Sequence, residues 1–291
     1  MASTPSFETQ RRPADAMSER LRKIVSGPDE DISLAEAALL IAGQAYPDLN
    51  VAGYLSRIEE LAHRLRLRIA EEDSIPDRIS ALNQFLFDDL GFASNSGDYY
   101  DPRNSFLNEV LERRTGIPIT LSVIYMELGR KIGLPLHGVS FPGHFLVKCA
   151  VPDGAVVLDP YSGGISLGLA DLQKRLRDAR GGEVSRAIVA ELLVSASNKE
   201  IIVRLLRNLK AIYLRGHNPD RALPIVDWII AIMPEETLEL RDRGMLYQEL
   251  ECPRAALADF EQVLKRSPAC EDADDIRRRI IELRRAASRL N

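Results

Sequence analysis

The chain has 291 residues and carries 43 acidic against 38 basic side chains, a formal net charge of −5. Its 45% hydrophobic and 28% charged residues are typical of a folded globular protein and exclude collagen-like and disordered classes. The acidic balance does not favour nucleic acid as a partner. No apolar run reaches membrane-spanning length, and the N-terminus lacks the apolar segment of a secretory signal. Three cysteines in no CxxC spacing fit a reducing compartment, so we expect a cytoplasmic protein without membrane contact.

Residues 1–28 are polar and charged without a sustained apolar period, and we predict that they form a flexible tail. From Asp31 the apolar residues follow a helical period, with Ser33 as the expected N-cap and Pro47 as the stop. Two more helices are predicted over 51–71 and about 76–90. The polar segment 91–105 is then predicted to be a loop, and a loop of this length is often functional.

The middle of the chain changes from helical to strand-like patterning. Residues 104–114 and 119–132 are predicted helices, and the second is apolar on nearly every side, so we expect it at the centre of the core. Three short β-rich runs follow Pro135, and helices return over 166–195. The predicted fold class is therefore α+β, with a mainly helical first domain over 29–195 that contains a small antiparallel sheet.

The last hundred residues contain a pattern that recurs every 34 positions. The residues that recur are Tyr213 and Tyr247, Pro219 and Pro253, Ala222 and Ala256, and Pro234 and Pro268. This period, with a tyrosine, a small residue and a terminal proline, resembles the tetratricopeptide repeat. We predict an all-α second domain over 196–291, with two repeats followed by a charged capping helix.

One histidine and one aspartate stand out in the strand region. His144 begins the run HFLVKCAV, and Asp159 ends the run AVVLDPY fifteen residues later. A hairpin turn between the two runs would place both side chains on one face, close enough to hydrogen-bond. Such a pair orients and activates a histidine base in nucleophilic hydrolases. The alternative is that Asp159-Pro160 starts a turn and His144 bonds a carbonyl group.

The segment around this pair resembles the transglutaminase-like superfamily of papain-like Cys–His–Asp proteins. That pattern places G-x-C at the start of a buried helix, a second glycine–proline motif about fifteen residues on, a strand that begins with His and a strand that ends in Asp-Pro. Here the corresponding segments are 116–118 (GIP), 133–135 (GLP), His144 and 159–160 (DP). Together with the repeats, the chain is most similar to the bacterial SirB-like family, which implies a transglutaminase-like domain followed by tetratricopeptide repeats.

The resemblance has one departure, because the position of the nucleophilic cysteine is Pro118. Proline offers no thiolate, so the acyl-enzyme route implied by the family is closed. Cys149 is expected on the opposite face of its strand, and Ser122 on a buried helix is expected to pack rather than react. We therefore favour a non-catalytic interaction or regulatory protein. The alternative is a protein that uses His144 and Asp159, either as a hydrolase or acyl transferase or to bind a peptide or other ligand.

Four further residues are candidate walls of the same cleft: Tyr100, Asn104, Thr120 and Tyr161. For the loop over 98–105 the alternative is local turn chemistry, in which Asp and Asn side chains bond nearby backbone. We predict no metal and no cofactor, since the spacing of the acidic residues demands neither.

In the repeats, the family resemblance places Arg204, Arg207 and Arg241 on the helices that line a concave groove. Arginine is well suited to bind a carboxylate, so we predict a protein or peptide partner at this groove, and neither nucleic acid nor membrane. Ordinary ion pairing with Glu239 or Asp242 is the alternative. A short groove of two repeats also leaves open that the repeats dock on the first domain.

Overall fold

The computed structural model describes residues 13–152 and 154–289, which form thirteen α-helices and six β-strands. The helices are α1 (Pro13–Val25), α2 (Leu34–Ala42), α3 (Val51–Arg66), α4 (Ile75–Asn83), α5 (Leu107–Arg113), α6 (Pro118–Lys131), α7 (Leu169–Arg180), α8 (Arg186–Leu192), α9 (Asn198–Arg215), α10 (Pro219–Ile232), α11 (Thr237–Glu249), α12 (Pro253–Arg266) and α13 (Ala273–Arg289). The strands are β1 (Ala93–Ser94), β2 (Thr115–Gly116), β3 (Leu136–Val139), β4 (Leu146–Val151), β5 (Gly154–Asp159) and β6 (Ile165–Leu167). The α+β class is confirmed.

Side-chain caps set several helix starts. The Ser33 hydroxyl accepts a hydrogen bond from the Glu36 amide and begins α2, as the sequence predicts. Ser197 forms a reciprocal capping box with Glu200 at the start of α9. Each such cap satisfies backbone donors that the helix leaves unpaired and contributes about 1 kcal/mol.

The prediction of a flexible tail over 1–28 is corrected for the part that the structure describes. Residues 13–25 form α1, in which Leu21 and Val25 are buried against the main core. Met17, Leu21 and Val25 recur every four residues, so they share one helix face, and that face packs against α2. Residues 1–12 lie outside the described residues.

Helix α6 is the centre of the first domain. All of its residues except Glu127, Arg130 and Lys131 are buried, in agreement with its nearly uniform apolar sequence. It packs against α3, the sheet and the first repeat helix, α9. The short parallel pair β1–β2 joins the loop after residue 90 to the segment that leads into α6.

The main sheet is antiparallel, with strand order β3-β4-β5-β6. Val147 and Cys149 of β4 face the core around α6. Leu146 and Val157 face the other way, into a smaller apolar cluster that α7 and α8 cover. Helices α7 and α8 thereby place their side chains beside the ends of β4 and β5.

The two repeats differ in how they are attached. The core of the α9–α10 hairpin is continuous with that of the first domain, since Leu205 and Leu209 belong to the same cluster as Leu39 of α2. The Asp29 carboxylate accepts hydrogen bonds from the amides of Asn198 and Lys199 and so caps α9 from the first domain. The predicted boundary between 195 and 196 therefore separates two sequence patterns but not two cores.

The second hairpin, α11–α12, forms a separate cluster with α13 that includes Leu240, Phe260 and Ile280. Its close packing depends on Gly244, where an added Cβ atom would lie 2.8 Å from the Phe260 ring. Among the residues that the structure describes, no helix is both long and apolar enough to cross a membrane.

Candidate functional site

The histidine and aspartate singled out in the sequence are hydrogen-bonded. His144 lies two residues before β4, in a turn closed by its amide and the Phe141 carbonyl, and Asp159 is the fully buried last residue of β5. The Nε2 atom of His144 is 2.8 Å from Oδ1 of Asp159. The sheet register pairs Val147 with Leu158, which brings the residues before β4 beside the end of β5.

The Asp159 carboxylate has further hydrogen-bond donors besides His144. It also accepts hydrogen bonds from the Tyr161 amide (3.1 Å), the Ser162 hydroxyl (2.7 Å) and the Arg175 guanidinium (2.6 Å). Burial alone would raise the pKa of Asp159, but the bonds from His144 and Ser162 and the charge on Arg175 lower it to about 2. An ionised carboxylate only accepts, so the proton of a neutral His144 is on Nε2 and Nδ1 is the free ring nitrogen.

Arg175 was not singled out from the sequence. It belongs to a charged stretch of α7, and such stretches are usually solvated helix faces. Arg175 and Asp159 lie in different elements, so only the packing of α7 on the sheet brings them together. No spacing rule in a single sequence identifies that contact.

No nucleophile is available at the start of α6. Pro118 occupies the first turn and is buried, as is the rest of that turn. The Thr120 hydroxyl accepts from the Ile117 amide (3.1 Å) and lies 2.8 Å from the Asn104 carbonyl, to which it donates. The Ser122 hydroxyl is buried and has no hydrogen-bond partner among the described residues, and in particular no base. Thr120, one of the candidate cleft residues, therefore fixes the helix start instead of lining a cleft.

The thiol of Cys149 is not a substitute. Cys149 is fully buried on the side of β4 that faces the core around α6, and burial raises its pKa. A thiol with a raised pKa is largely protonated at neutral pH and is a poor nucleophile. Its placement agrees with the expectation that it projects away from the histidine.

Of the two candidate tyrosines, Tyr161 contacts His144 and Tyr100 contacts Arg215 instead. The Tyr161 ring meets the His144 ring edge to face at 5.7 Å, and burial raises the pKa of the Tyr161 hydroxyl. Burial raises the pKa of Tyr99, and the nearby charge of Arg204 on α9 opposes that rise. Tyr99 was not among the candidates. Tyr100, which was, is half exposed and lies under the Arg215 guanidinium at 4.2 Å.

The polar loop over 98–105 follows the turn-chemistry alternative for its buried members. Asn104 is fully buried, and its amide donates to the Asp98 carbonyl at 2.7 Å. Asp101 is buried and pairs with Arg103 at 2.7 Å. Within residues 13–152 and 154–289, no three His, Cys, Asp or Glu side chains are grouped as metal ligands.

Two of the three groove arginines are ion-paired within the repeats. Arg207 donates to Glu239 at 2.9 Å, and Arg241 donates to Asp242 at 3.0 Å. Ordinary ion pairing, the alternative for these residues, is therefore what the structure contains. Arg204 differs, because it makes no hydrogen bond or ion pair in the part of the chain that the structure describes.

Arg204 opens onto a cleft between the first domain and the repeats, which we call the inter-domain cleft. The cleft has a volume of about 360 Å³ and is lined by residues of the β3–β4 loop, the end of α8, the α8–α9 connection, α9 and the α10–α11 turn. Its apolar lining includes Val194, which is 69% exposed, and Met233. Ser140, in the loop that leads to His144, forms part of the same lining.

Comparison with known proteins identifies the class of fold. Residues 52–207 match the model of the transglutaminase-like superfamily, and residues 209–281 match the tetratricopeptide repeat. Because the first match covers more than half of the chain, the protein belongs to the transglutaminase-like superfamily, with tetratricopeptide repeats at its C-terminal side.

The relatives narrow the group further. A UPF0162 protein of Xylella fastidiosa is 42% identical over 257 residues, which cover 88% of this chain and 91% of the relative. A UPF0162 protein of Pseudomonas aeruginosa is 33% identical, with 81% and 85% covered. Protein SirB1 of Salmonella typhimurium is 28% identical, with 81% and 86% covered. The predicted resemblance to the SirB-like family is thus confirmed.

Proposed function

We propose that this protein is a non-catalytic binding protein built on a transglutaminase-like fold. The observation that carries the proposal is the lack of a usable nucleophile beside His144. Pro118 holds the position of the thiol, the Thr120 hydroxyl is occupied by backbone groups, and Cys149 is buried on the other side of the sheet. Acyl transfer through an enzyme ester or thioester needs a nucleophile with an adjacent base.

In this proposal the His144–Asp159 pair is structural. The Asp159 carboxylate connects the turn before β4, the turn after β5 and helix α7 through its bonds to His144, Ser162 and Arg175. Buried polar groups that satisfy one another in this way fix the arrangement of neighbouring segments. The pair therefore fixes the end of the β3–β4 loop, whose Ser140 lines the inter-domain cleft.

The ligand proposed for this cleft is a protein segment that carries a carboxylate and an apolar side chain. Three glutamates also line the cleft: Glu236 is paired with Arg207, Glu200 accepts from the Ser197 amide, and Glu191 is exposed. Arg204 supplies a half-buried guanidinium whose donors are unused within the described residues, and guanidinium binds carboxylates through paired hydrogen bonds. Val194 and Met233 supply the apolar contact. Tetratricopeptide repeats in other proteins mediate protein interactions, which supports a protein partner over a small molecule.

The intact 2.8 Å bond between His144 and Asp159 favours one second candidate, a hydrolase in which His144 activates water. An activity panel of esters, peptides and glutamine-amide donors with amine acceptors separates the two. For the binding protein we expect wild type and His144→Ala both at the buffer rate. Turnover by the wild type that is lost in His144→Ala would overturn the non-catalytic proposal.

Binding is tested with an array of synthetic peptides that vary in acidic and apolar residues, probed with the full chain. We expect the array to retain peptides in which an acidic residue stands beside an apolar one. Arg204→Gln should lower the affinity for these peptides about tenfold, since a charged hydrogen bond contributes ~1.5–3 kcal/mol. Arg22→Gln, a change of the same charge on the exposed side of α1, is the matched control and should not alter retention. Equal retention by wild type and Arg204→Gln would exclude the cleft as the binding site.

A further inference from the structure

A second pocket lies on α3, on a surface that does not include the inter-domain cleft. Three arginines contribute to its lining: Arg57 and Arg64 of α3, and Arg114 at the end of α5. Its volume is about 230 Å³. Sites for drug-sized ligands hold ~300–1,000 Å³, so an occupant of this arginine pocket is small.

The floor of the arginine pocket is apolar. Its four members are buried core residues, each less than a tenth exposed: Leu61, Leu90, Phe92 and Leu111. The one acidic residue in the lining is Glu60, which is exposed and makes no ion pair among the described residues. A cationic rim above a hydrophobic floor selects a ligand with an anionic group and an apolar body.

The guanidinium groups are held in place by the fold. Arg57 donates to the Leu111 carbonyl at 3.0 Å, and Arg114 donates to the Leu90 carbonyl at 2.8 Å. Arg64 lies over the Phe85 ring, 5.6 Å from its centre. A guanidinium has five N–H donors, so each of these groups retains donors for a ligand. Arg57 and Arg114 are held by these backbone bonds before binding, which reduces the entropy lost on association.

The charges of the arginine pocket are not balanced by neighbouring carboxylates. Glu112 pairs with Arg57 at 2.6 Å, but neither Arg64 nor Arg114 has a carboxylate partner in the described part of the chain. Against the three arginines stand Glu112 and Glu60, so the pocket has an excess of one positive charge. The positive excess is local, since the whole chain has a net charge of −5.

The position of Arg114 is set by the end of α5. Arg114 has φ of 55° and ψ of 31°, the left-handed conformation that glycine adopts at helix ends without a steric cost. A non-glycine residue there costs about 1 kcal/mol. His217 and Glu251, which follow α9 and α11, have the same conformation, so at Arg114 it marks the end of α5. Here the side chain places its guanidinium at the rim of the pocket.

We propose that the arginine pocket binds a phosphate group carried on a small apolar or aromatic body. The planar guanidinium matches the oxygen spacing of phosphate, and several such groups stabilise its double negative charge. The apolar floor is the contact for the attached body. This site is independent of partner binding at the inter-domain cleft.

The test uses titration calorimetry on the full chain with phenyl phosphate, inorganic phosphate and phenol. Phenyl phosphate is expected to bind more tightly than either of the other two, and more weakly as salt is added. Arg64→Gln is the primary variant because Arg64 makes no hydrogen bond in the described residues, so its loss leaves the fold intact. We expect Arg64→Gln to lower the affinity for phenyl phosphate about tenfold.

Arg66→Gln is the matched control, since Arg66 is on the same helix but pairs with Glu59 and does not line the pocket. It should bind phenyl phosphate like the wild type. No binding at millimolar concentration, equal binding of phenol, or equal affinity in Arg64→Gln would overturn the proposal. Inorganic phosphate bound as tightly as phenyl phosphate would overturn the assignment of an apolar body.

Discussion

Replacing Asp159 by asparagine tests whether its carboxylate holds the site together. The substitution keeps the size of the side chain but removes the charge that accepts from His144, Ser162 and Arg175. Arg175, one-third exposed, would lose its carboxylate partner. We expect the folded state to lose stability at neutral pH, because buried donors would no longer have an ionised acceptor.

The magnitude follows from the pKa of Asp159. An aspartate in an unfolded chain has a pKa of ~3.9, whereas Asp159 in the folded protein has a pKa of about 2. The folded state therefore favours the ionised form, and the stabilisation is present above pH ~5 and is lost as the pH falls through about 2. The gap between the two pKa values corresponds to about 2.5 kcal/mol at neutral pH, of which about half is gone by pH 3.

The measurement is the free energy of unfolding in urea, for wild type and Asp159→Asn, at pH 7, 5, 4 and ~3. The difference between the two proteins isolates Asp159 from other carboxylates, and we expect it to shrink steadily below pH 5. Asp178→Asn, an exposed position on α7, is the control and should change stability by less than ~0.5 kcal/mol. A wild-type advantage that stays constant from pH 7 to pH 3 would refute the lowered pKa.

Two further outcomes follow from buried groups. A thiol reagent at neutral pH should label the exposed Cys252 rapidly. It should label Cys149, which is buried and has a raised pKa, only after the protein unfolds. Mass spectrometry follows the labelling, and simultaneous labelling of the two cysteines would contradict the burial of Cys149. Glu239→Gln should lower the free energy of unfolding by ~3 kcal/mol, because the buried carboxylate accepts hydrogen bonds from Arg207 and Lys210. The measurement is urea unfolding, and a loss below ~0.5 kcal/mol would show that these ion pairs contribute little to stability.

The parts of the site that sequence predicted are local. His144 and Asp159 could be paired in advance because two strands joined by a short turn have a fixed alternation of faces. The cap at Ser33 and the buried α6 were equally visible, since each depends on residues within one element. The tetratricopeptide pattern was visible because identical residue types recur at one spacing.

The parts that sequence missed depend on packing between distant elements. Arg175 reaches Asp159 from α7, and Tyr99 approaches Arg204 from a loop about a hundred residues away. Helix α1 has an apolar stripe at Leu21 and Val25, but its charged neighbours mask the period within so short a segment. The position of Arg207 in the repeat predicted that it lines a groove. Its ion pair with Glu239 could not be predicted, because Glu239 lies on the next repeat's helix, α11.

The shared core of the first domain and the α9–α10 hairpin determines how the inter-domain cleft accepts a ligand. Leu205 and Leu209 lie on the same helix as Arg204, so that helix cannot swing away from the first domain without exposing apolar surface to water. The α9 wall of the cleft therefore has no hinge at its junction with the first domain. For the peptide ligand proposed above, we expect selection by complementarity to this preorganised wall, with little affinity lost to rearrangement of the protein.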